Sequence, residues 1–240
     1  MTDSEKGRLE SIAGDSLYAA GANAATIRYS FNIFLRHLQG ESILELGPAE
    51  GVMTELLSKL GRYQLTVVEG SKLFCLDLAT RYPEVSVVNS LFEEFAPVPG
   101  QLFDNIVLGH VLEHVAEPIA ILARARQWLR PKTGKILAAV PNARSLHRQA
   151  AVIMGLLSTE DALNEMDRHH GHRRVFNPES FRNAFRAAGL HVEIFGGYWL
   201  KPVSNGQIEA AWSPEMLDAF MALGERYPDI AGEIYVVAKA

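Results

Sequence analysis

Cysteine is nearly missing. Cys75 is the only one among 240 residues, so no intrachain disulfide can form, and a reducing, cytoplasmic setting is expected. Long apolar runs are missing too. The longest candidate, Ala150 to Leu157, falls far short of the ~20 residues a membrane helix needs, so no membrane partner is expected. The polar start, MTDSEKGRLE, has no signal-peptide core. Positive charge is not in excess: 23 basic residues stand against 28 acidic ones, a net charge of −5. No basic stripe interleaves with aromatics, which argues against a nucleic-acid partner. Repeats and low-complexity segments are absent. What remains is 48% apolar and 21% charged, the composition of one globular domain with a real core.

The pattern along the chain is an alternation. Residues 1–21 read as loosely ordered, and 23–38 as a helix with Ile27, Phe31, Phe34, Leu35 and Leu38 on one face. Strand 42–46, helix 51–60, strand 64–68 and a helix from Ser71 to near Arg81 follow. Short strands at 85–88 and 105–108 lead to a helix opened by Pro118, and then to strand 136–140. The stretch 143–176 breaks the rhythm; it is rich in His and Arg and reads as a partly helical lid. Asn177-Pro178-Glu179 restarts regular structure with a cap and a first-turn proline. Strand 190–195, a helix near 214–223 and strand 233–237 close the chain. One domain is expected: a helical cap (1–40), a cofactor-binding core (41–142), the lid (143–176) and the end of the sheet (177–240). The fold class is α/β, Rossmann-like, with seven mostly parallel strands and helices on both faces. Right-handed crossovers put the first strand near the middle, and ligands bind at the strands' carboxyl ends.

Several polar residues fall at those ends. Leu44-Glu45-Leu46-Gly47-Pro48-Ala49-Glu50-Gly51 is strand, glycine turn and helix start, with Met53, Leu56, Leu57 and Leu60 on one helical face. Glu69 ends the next strand, 18 residues beyond Gly51, the spacing at which such folds hold a ribose. Asn89-Ser90 and Gly109-His110 end two more. A dinucleotide turn carries three glycines; here Ala49 takes the middle place. Glu45, aimed at the crevice, repels a pyrophosphate and suits an ammonium group. S-adenosylmethionine carries an ammonium and a sulfonium but no phosphate, and its ribose hydroxyls can donate to Glu69.

These residues resemble a known family. Glu45-x-Gly47-x-Ala49-x-Gly51 is similar to motif I, D/E-x-G-x-G-x-G, of the class I S-adenosylmethionine-dependent methyltransferases, with Ala49 as a departure. Phe103-Asp104-Asn105-Ile106-Val107 and His110-Val111-Leu112-Glu113-His114-Val115 resemble the fourth-strand signature of its UbiG-like subgroup, as in methyltransferase domain 23. Leu129-Arg130-Pro131-Lys132-Thr133-Gly134, Val140-Pro141-Asn142 and Gly171-His172-Arg173-Arg174-Val175-Phe176 resemble later family segments. The resemblance spans roughly 42–195. It implies S-adenosylmethionine as cofactor, S-adenosylhomocysteine as product, and a donor site at Glu45, Gly47, Gly51, Glu69, Ser90, Leu91 and His110. Asn89-Ser90 stands where the family often has Gly-Asp beside the adenine. Arg28, in the N-terminal helical region with Tyr18, is a candidate for the methionine carboxylate, or a surface arginine.

Methyl transfer from a sulfonium is an in-line displacement, and it needs a base only when the nucleophile arrives protonated. Histidine is the usual choice. The candidates, in order, are His114, His172 and His169; the alternative for each is packing or solvation. The run Asp167 to Arg174 contains metal-ligand types, but no second ligand cluster accompanies it in the sequence, so no metal is expected. Arg168, Arg173 and Arg174 read either as a clamp for an anionic acceptor or as a solvated basic face. Tyr198 and Trp199 read as an aromatic acceptor wall or as core. The expected function is methylation of an O or N atom of a small biosynthetic intermediate, by a monomer or homodimer. The rivals are a non-catalytic S-adenosylmethionine-binding module and an NAD(P)-dependent oxidoreductase.

Overall fold

A computed structural model of the chain describes residues 2–14 and 19–240. Tyr18 lies outside them. Seven strands form one sheet: β1 (Ser42–Leu46), β2 (Gln64–Glu69), β3 (Ser86–Asn89), β4 (Asn105–Gly109), β5 (Lys135–Pro141), β6 (His191–Tyr198) and β7 (Glu233–Lys239). Their order is β3-β2-β1-β4-β5-β7-β6. β1 to β5 pair in parallel, and β7 runs antiparallel to both β5 and β6. β1 therefore sits between β2 and β4, where the winding reverses and a crevice opens.

The central strands are near-continuous apolar runs because both faces of the sheet are covered. Leu44, Leu46, Ile106, Leu108 and Ile136 point into one core, with Phe181 and Phe185 of α8 (Pro178–Ala187). Ile43, Val67, Val107 and Leu137 point into the other, with Ile33 and Phe34 of α2 (Gly21–Leu35). Both cores are almost closed to solvent, so the strand ends beside β1 are held rigidly.

Two helices depart from the expected pattern. The N-terminus is not loose: α1 spans Thr2–Gly14. Its polar sequence gives little helical signal by itself, and contacts elsewhere hold it. Glu10 accepts from Ser71 Oγ (2.9 Å) and Lys72 N (2.5 Å), at the N-terminus of α4 (Lys72–Arg81), where a carboxylate also meets the helix dipole. The second, α9 (Asn205–Ala211), is too short to show a period and starts from a Ser204/Gln207 capping box. Among the described residues, no helix is long and apolar enough to cross a membrane.

The end of the sheet opposite the crevice is tied by one carboxylate. Asp104 Oδ2 accepts from Glu41 N (3.0 Å), Ser42 N (3.1 Å) and Ser42 Oγ (2.9 Å), and its other oxygen meets Arg130. Burial opposes the charge, but these donors outweigh it and hold the carboxyl at about 2. Its stabilisation is therefore complete above the ordinary 3.8 and lost as pH falls toward 2. Asp104→Ala is expected to cost roughly 2 kcal/mol at pH 7, and the difference from wild type should shrink as urea titrations move to acid.

Candidate active site

A cleft of about 740 Å³ opens at the carboxyl ends of β1, β2 and β4. Its floor is the turn after β1. Gly47 and Gly51 take left-handed φ of 70° and 79°, which glycine adopts without steric cost. A Cβ at Gly47 would also stand 2.9 Å from Val111 Cγ2. Ala49 accepts the same strained region, with φ of 48°, because its amide is fixed: Ala49 N donates to Glu69 Oε2 at 3.2 Å. Gly47 N donates to Val68 O and Gly51 N to Pro48 O. Three of the turn's amides are thus satisfied within the protein, and they form no nest for a pyrophosphate.

Two buried carboxylates flank this turn. Glu69 also accepts from Ser71 N at 2.8 Å, and burial raises it above the ordinary carboxylate range. Glu45 is 2% exposed. Burial pushes its carboxyl up to about 8, against the opposing hydrogen bond from Thr54 Oγ1 at 2.7 Å. Buried acid without a cationic partner is costly, and both groups line the cleft. That arrangement fits a ligand with an ammonium at one end and sugar hydroxyls at the other. Ser90 and Leu91 line the cleft beyond Glu69.

The other half of the cleft is built around His110, which ends β4 at a left-handed φ of 58°. Its Nε2 lies 3.1 Å from Tyr198 Oη. Its Nδ1 lies 3.6 Å from Glu113 and 3.7 Å from Glu233. Burial opposes the imidazolium, but these two carboxylates outweigh it and hold His110 above the ordinary imidazole range. His114 behaves oppositely. Burial, aided by His172, pulls it down to about 4 despite Glu113, so it is neutral at physiological pH. The His114 and His172 rings meet edge to face, with centroids 4.8 Å apart. Both Glu113 carboxylate oxygens are buried without a hydrogen-bond donor. Ligand atoms of Glu113, His114 and His172 all lie within 4.8 Å of one another.

The structure sorts the sequence candidates. Glu45, Gly47, Glu69, Ser90, Leu91, His110 and His114 line the cleft; Gly51 shapes its turn from just outside. Arg28 does not line it; it is exposed on α2, and Ile27 faces the cleft instead. His169 is exposed, and His170 takes the position expected of it. Tyr198 is fully buried behind His110, outside the cleft wall. Arg173 lines the cleft, whereas Arg174 does not, and both arginines are engaged within the protein. Arg173 Nε donates to His114 O and its Nη2 to Glu5, while Arg174 donates to Val115 O and Ala116 O. These arginines hold the loop after β4. Arg168 is exposed and outside the cleft wall. Folding brings Glu113 and His114 of the core to His172 of the lid. Sequence reasoning missed Glu233, and it takes the buried Asp167 only as part of the lid run. Glu233 reads as an ordinary strand start, and only the antiparallel course of β7 brings it to the ligand edge.

This strand order, with paired acids at the tips of β1 and β2, defines a class I S-adenosylmethionine-dependent methyltransferase. Solved structures share the fold. An S-adenosylmethionine-dependent methyltransferase from Mesorhizobium loti superposes with a TM-score of 0.64, at 14% identity, covering 92% of this chain and all of that one. The glycopeptide N-methyltransferase MtfA, complexed with S-adenosylmethionine, does so with a TM-score of 0.57, at 16% identity, over 92% and 87%. The chain belongs to the methyltransferase domain family, whose sequence profile matches residues 21–193. Its cofactor is S-adenosylmethionine, and the product is S-adenosylhomocysteine. The ubiquinone biosynthesis O-methyltransferase of Nitrosococcus oceani is 26% identical over 177 residues, 70% of this chain and 71% of its own length. That of Aeromonas salmonicida is 23% identical over 175 residues, 70% of each.

Proposed function

We propose that this enzyme methylates an oxygen or nitrogen of a small-molecule biosynthetic intermediate. The observation that carries the donor half is the pair of buried carboxylates, Glu45 and Glu69, on either side of a turn whose amides are already engaged. When bound, S-adenosylmethionine supplies an electrophilic methyl on sulfur. Glu45 pairs with its ammonium, Glu69 takes the ribose hydroxyls, and Gly47 lets the backbone approach. The acceptor enters beside His110, His114 and His170. A small acceptor fits a cleft of this size, and the curated relatives act in ubiquinone biosynthesis. A binding module without catalysis has no need of the buried polar cluster on this side. Calorimetry with S-adenosylhomocysteine and NAD tests the donor half; tight NAD binding would overturn it. A panel of phenols, catechols and amines, read by S-adenosylhomocysteine release, tests the acceptor half.

His114 is a weak general base at about 4, because a base works best with a pKa near the operating pH. A neutral imidazole is, however, a good metal ligand. Glu113, buried and facing His110 at 3.6 Å and His114 at 3.9 Å, and His172 complete a set of three that would fit a divalent cation with open positions. Such an ion would supply Lewis-acid stabilisation of an acceptor oxyanion. Titration with Mn²⁺ is expected to show one ion per chain. EDTA is expected to leave S-adenosylhomocysteine affinity unchanged and to abolish turnover on the acceptor found by the panel. Full turnover in EDTA would remove the cation from the mechanism.

A further inference from the structure

The lid is organised around a buried arginine. Arg148 of α6 (Leu146–Ile153) is 4% exposed. Its Nε donates to Glu160 O at 2.7 Å, its Nη2 to Ala162 O, and its Nη1 to Asp167 Oδ2 at 3.1 Å. Asp167, on α7 (Glu165–His169), takes Asn164 N at 2.9 Å on the same oxygen. Its other oxygen, Oδ1, faces His172 Nδ1 at 3.4 Å. Burial opposes the Asp167 charge, but His172, Asn164 and Arg148 outweigh it and hold the carboxyl far below its usual range. A chain of side chains therefore runs Arg148, Asp167, His172, His114, from the lid's interior to the cleft wall.

His172 Nδ1 is buried without a hydrogen bond, and a carboxylate 3.4 Å away favours the imidazole form that keeps its proton on that nitrogen, which leaves Nε2 for a ligand. We propose that Asp167, locked by Arg148, is the positioning residue that presents His172 to the cation site of Glu113 and His114. Occupancy of that site then fastens the lid to the core, since Glu113 and His114 follow β4 whereas His172 belongs to the lid. This rests on the cation reading above. An ion pair that merely braces the lid would not influence cation affinity once the fold is intact, and that difference is measurable.

The test uses the full chain saturated with S-adenosylhomocysteine and titrated with Mn²⁺ or Zn²⁺ alone, with hydrogen exchange followed across residues 155–173. Wild type is expected to bind one ion and to exchange more slowly in this segment when it does. His172→Ala is expected to lose both effects. Asp167→Asn is expected to weaken the ion by about 10–100-fold, with S-adenosylhomocysteine affinity within about twofold of wild type. Should Asp167→Asn fail to fold, Asp167→Glu keeps the charge opposite Arg148 and displaces the carboxyl; a several-fold loss of ion affinity is expected there. If wild type binds no ion, the cation reading and this proposal fall together. If wild type binds one and the folded Asp167 variants bind it equally well, the positioning role is overturned and the cation site stands.

Discussion

Glu69→Ala is expected to raise the Kd for S-adenosylmethionine by about 100-fold. A charge-assisted hydrogen bond contributes about 1.5–3 kcal/mol, each 1.4 kcal/mol is about tenfold in Kd, and the carboxylate has two oxygens to offer the two ribose hydroxyls. The same oxygens take Ala49 N and Ser71 N, so the alanine also releases the amide that holds Ala49 in its left-handed conformation. Glu69→Gln separates these contributions. Its one carbonyl oxygen can still accept from one of the two backbone amides, its NH2 cannot accept from the other, and it carries no charge; the loss should fall to about tenfold. Calorimetry on both variants, with thermal unfolding as the control, decides the matter. A folded Glu69→Ala variant with wild-type affinity would mean the ribose lies elsewhere.

Glu45 gives the second large effect, and its sign depends on pH. With its carboxyl pushed to about 8, chiefly by burial, the empty site is mostly protonated at neutrality. Pairing with an ammonium requires the carboxylate, so donor binding expels a proton below pH 8. Affinity should therefore rise by up to about tenfold per pH unit toward pH 8 and fall above it, where the donor's own ammonium, an α-amino group with a pKa of about 8, loses its proton. Calorimetry in buffers of different ionisation heat would read the released proton directly. Glu45→Gln should remove the rise below pH 8 and weaken the donor at pH 8, while Thr54 keeps a carbonyl to donate to. Stability moves the other way. The folded pKa lies above the ordinary 4.5, so the wild-type protein without donor loses stability as pH rises from about 4.5 through 8. The glutamine variant does not, and its advantage in urea midpoint should grow across that range. A midpoint difference independent of pH would show that Glu45 is not the buried acid described here.

Much of the donor half is readable from short stretches. The turn at Gly47 and Gly51 and the acids at Glu45 and Glu69 each sit where an apolar strand pattern stops, and the strand-end rule then brings them together. Arg28 shows where that reach ends. One residue along a helix is a rotation of about 100°, enough to put Ile27 in the cleft and Arg28 in solvent. His169 and His170 differ in the same way. α1 gives no local signal for another reason: its own Glu10 reaches the start of α4, a contact between segments far apart in the chain.

The sequence by itself determined the sheet, the crevice and the two carboxylates that flank its turn, because strand and helix periods and glycine turns act over a few residues. Only the tertiary structure decided the other half of the cleft. His110 raised and His114 lowered, Glu113 beside His172, and Asp167 behind it all depend on which distant side chains exclude water from one another. Desolvation and Coulomb interaction are set by distance in space, and no local pattern encodes that distance.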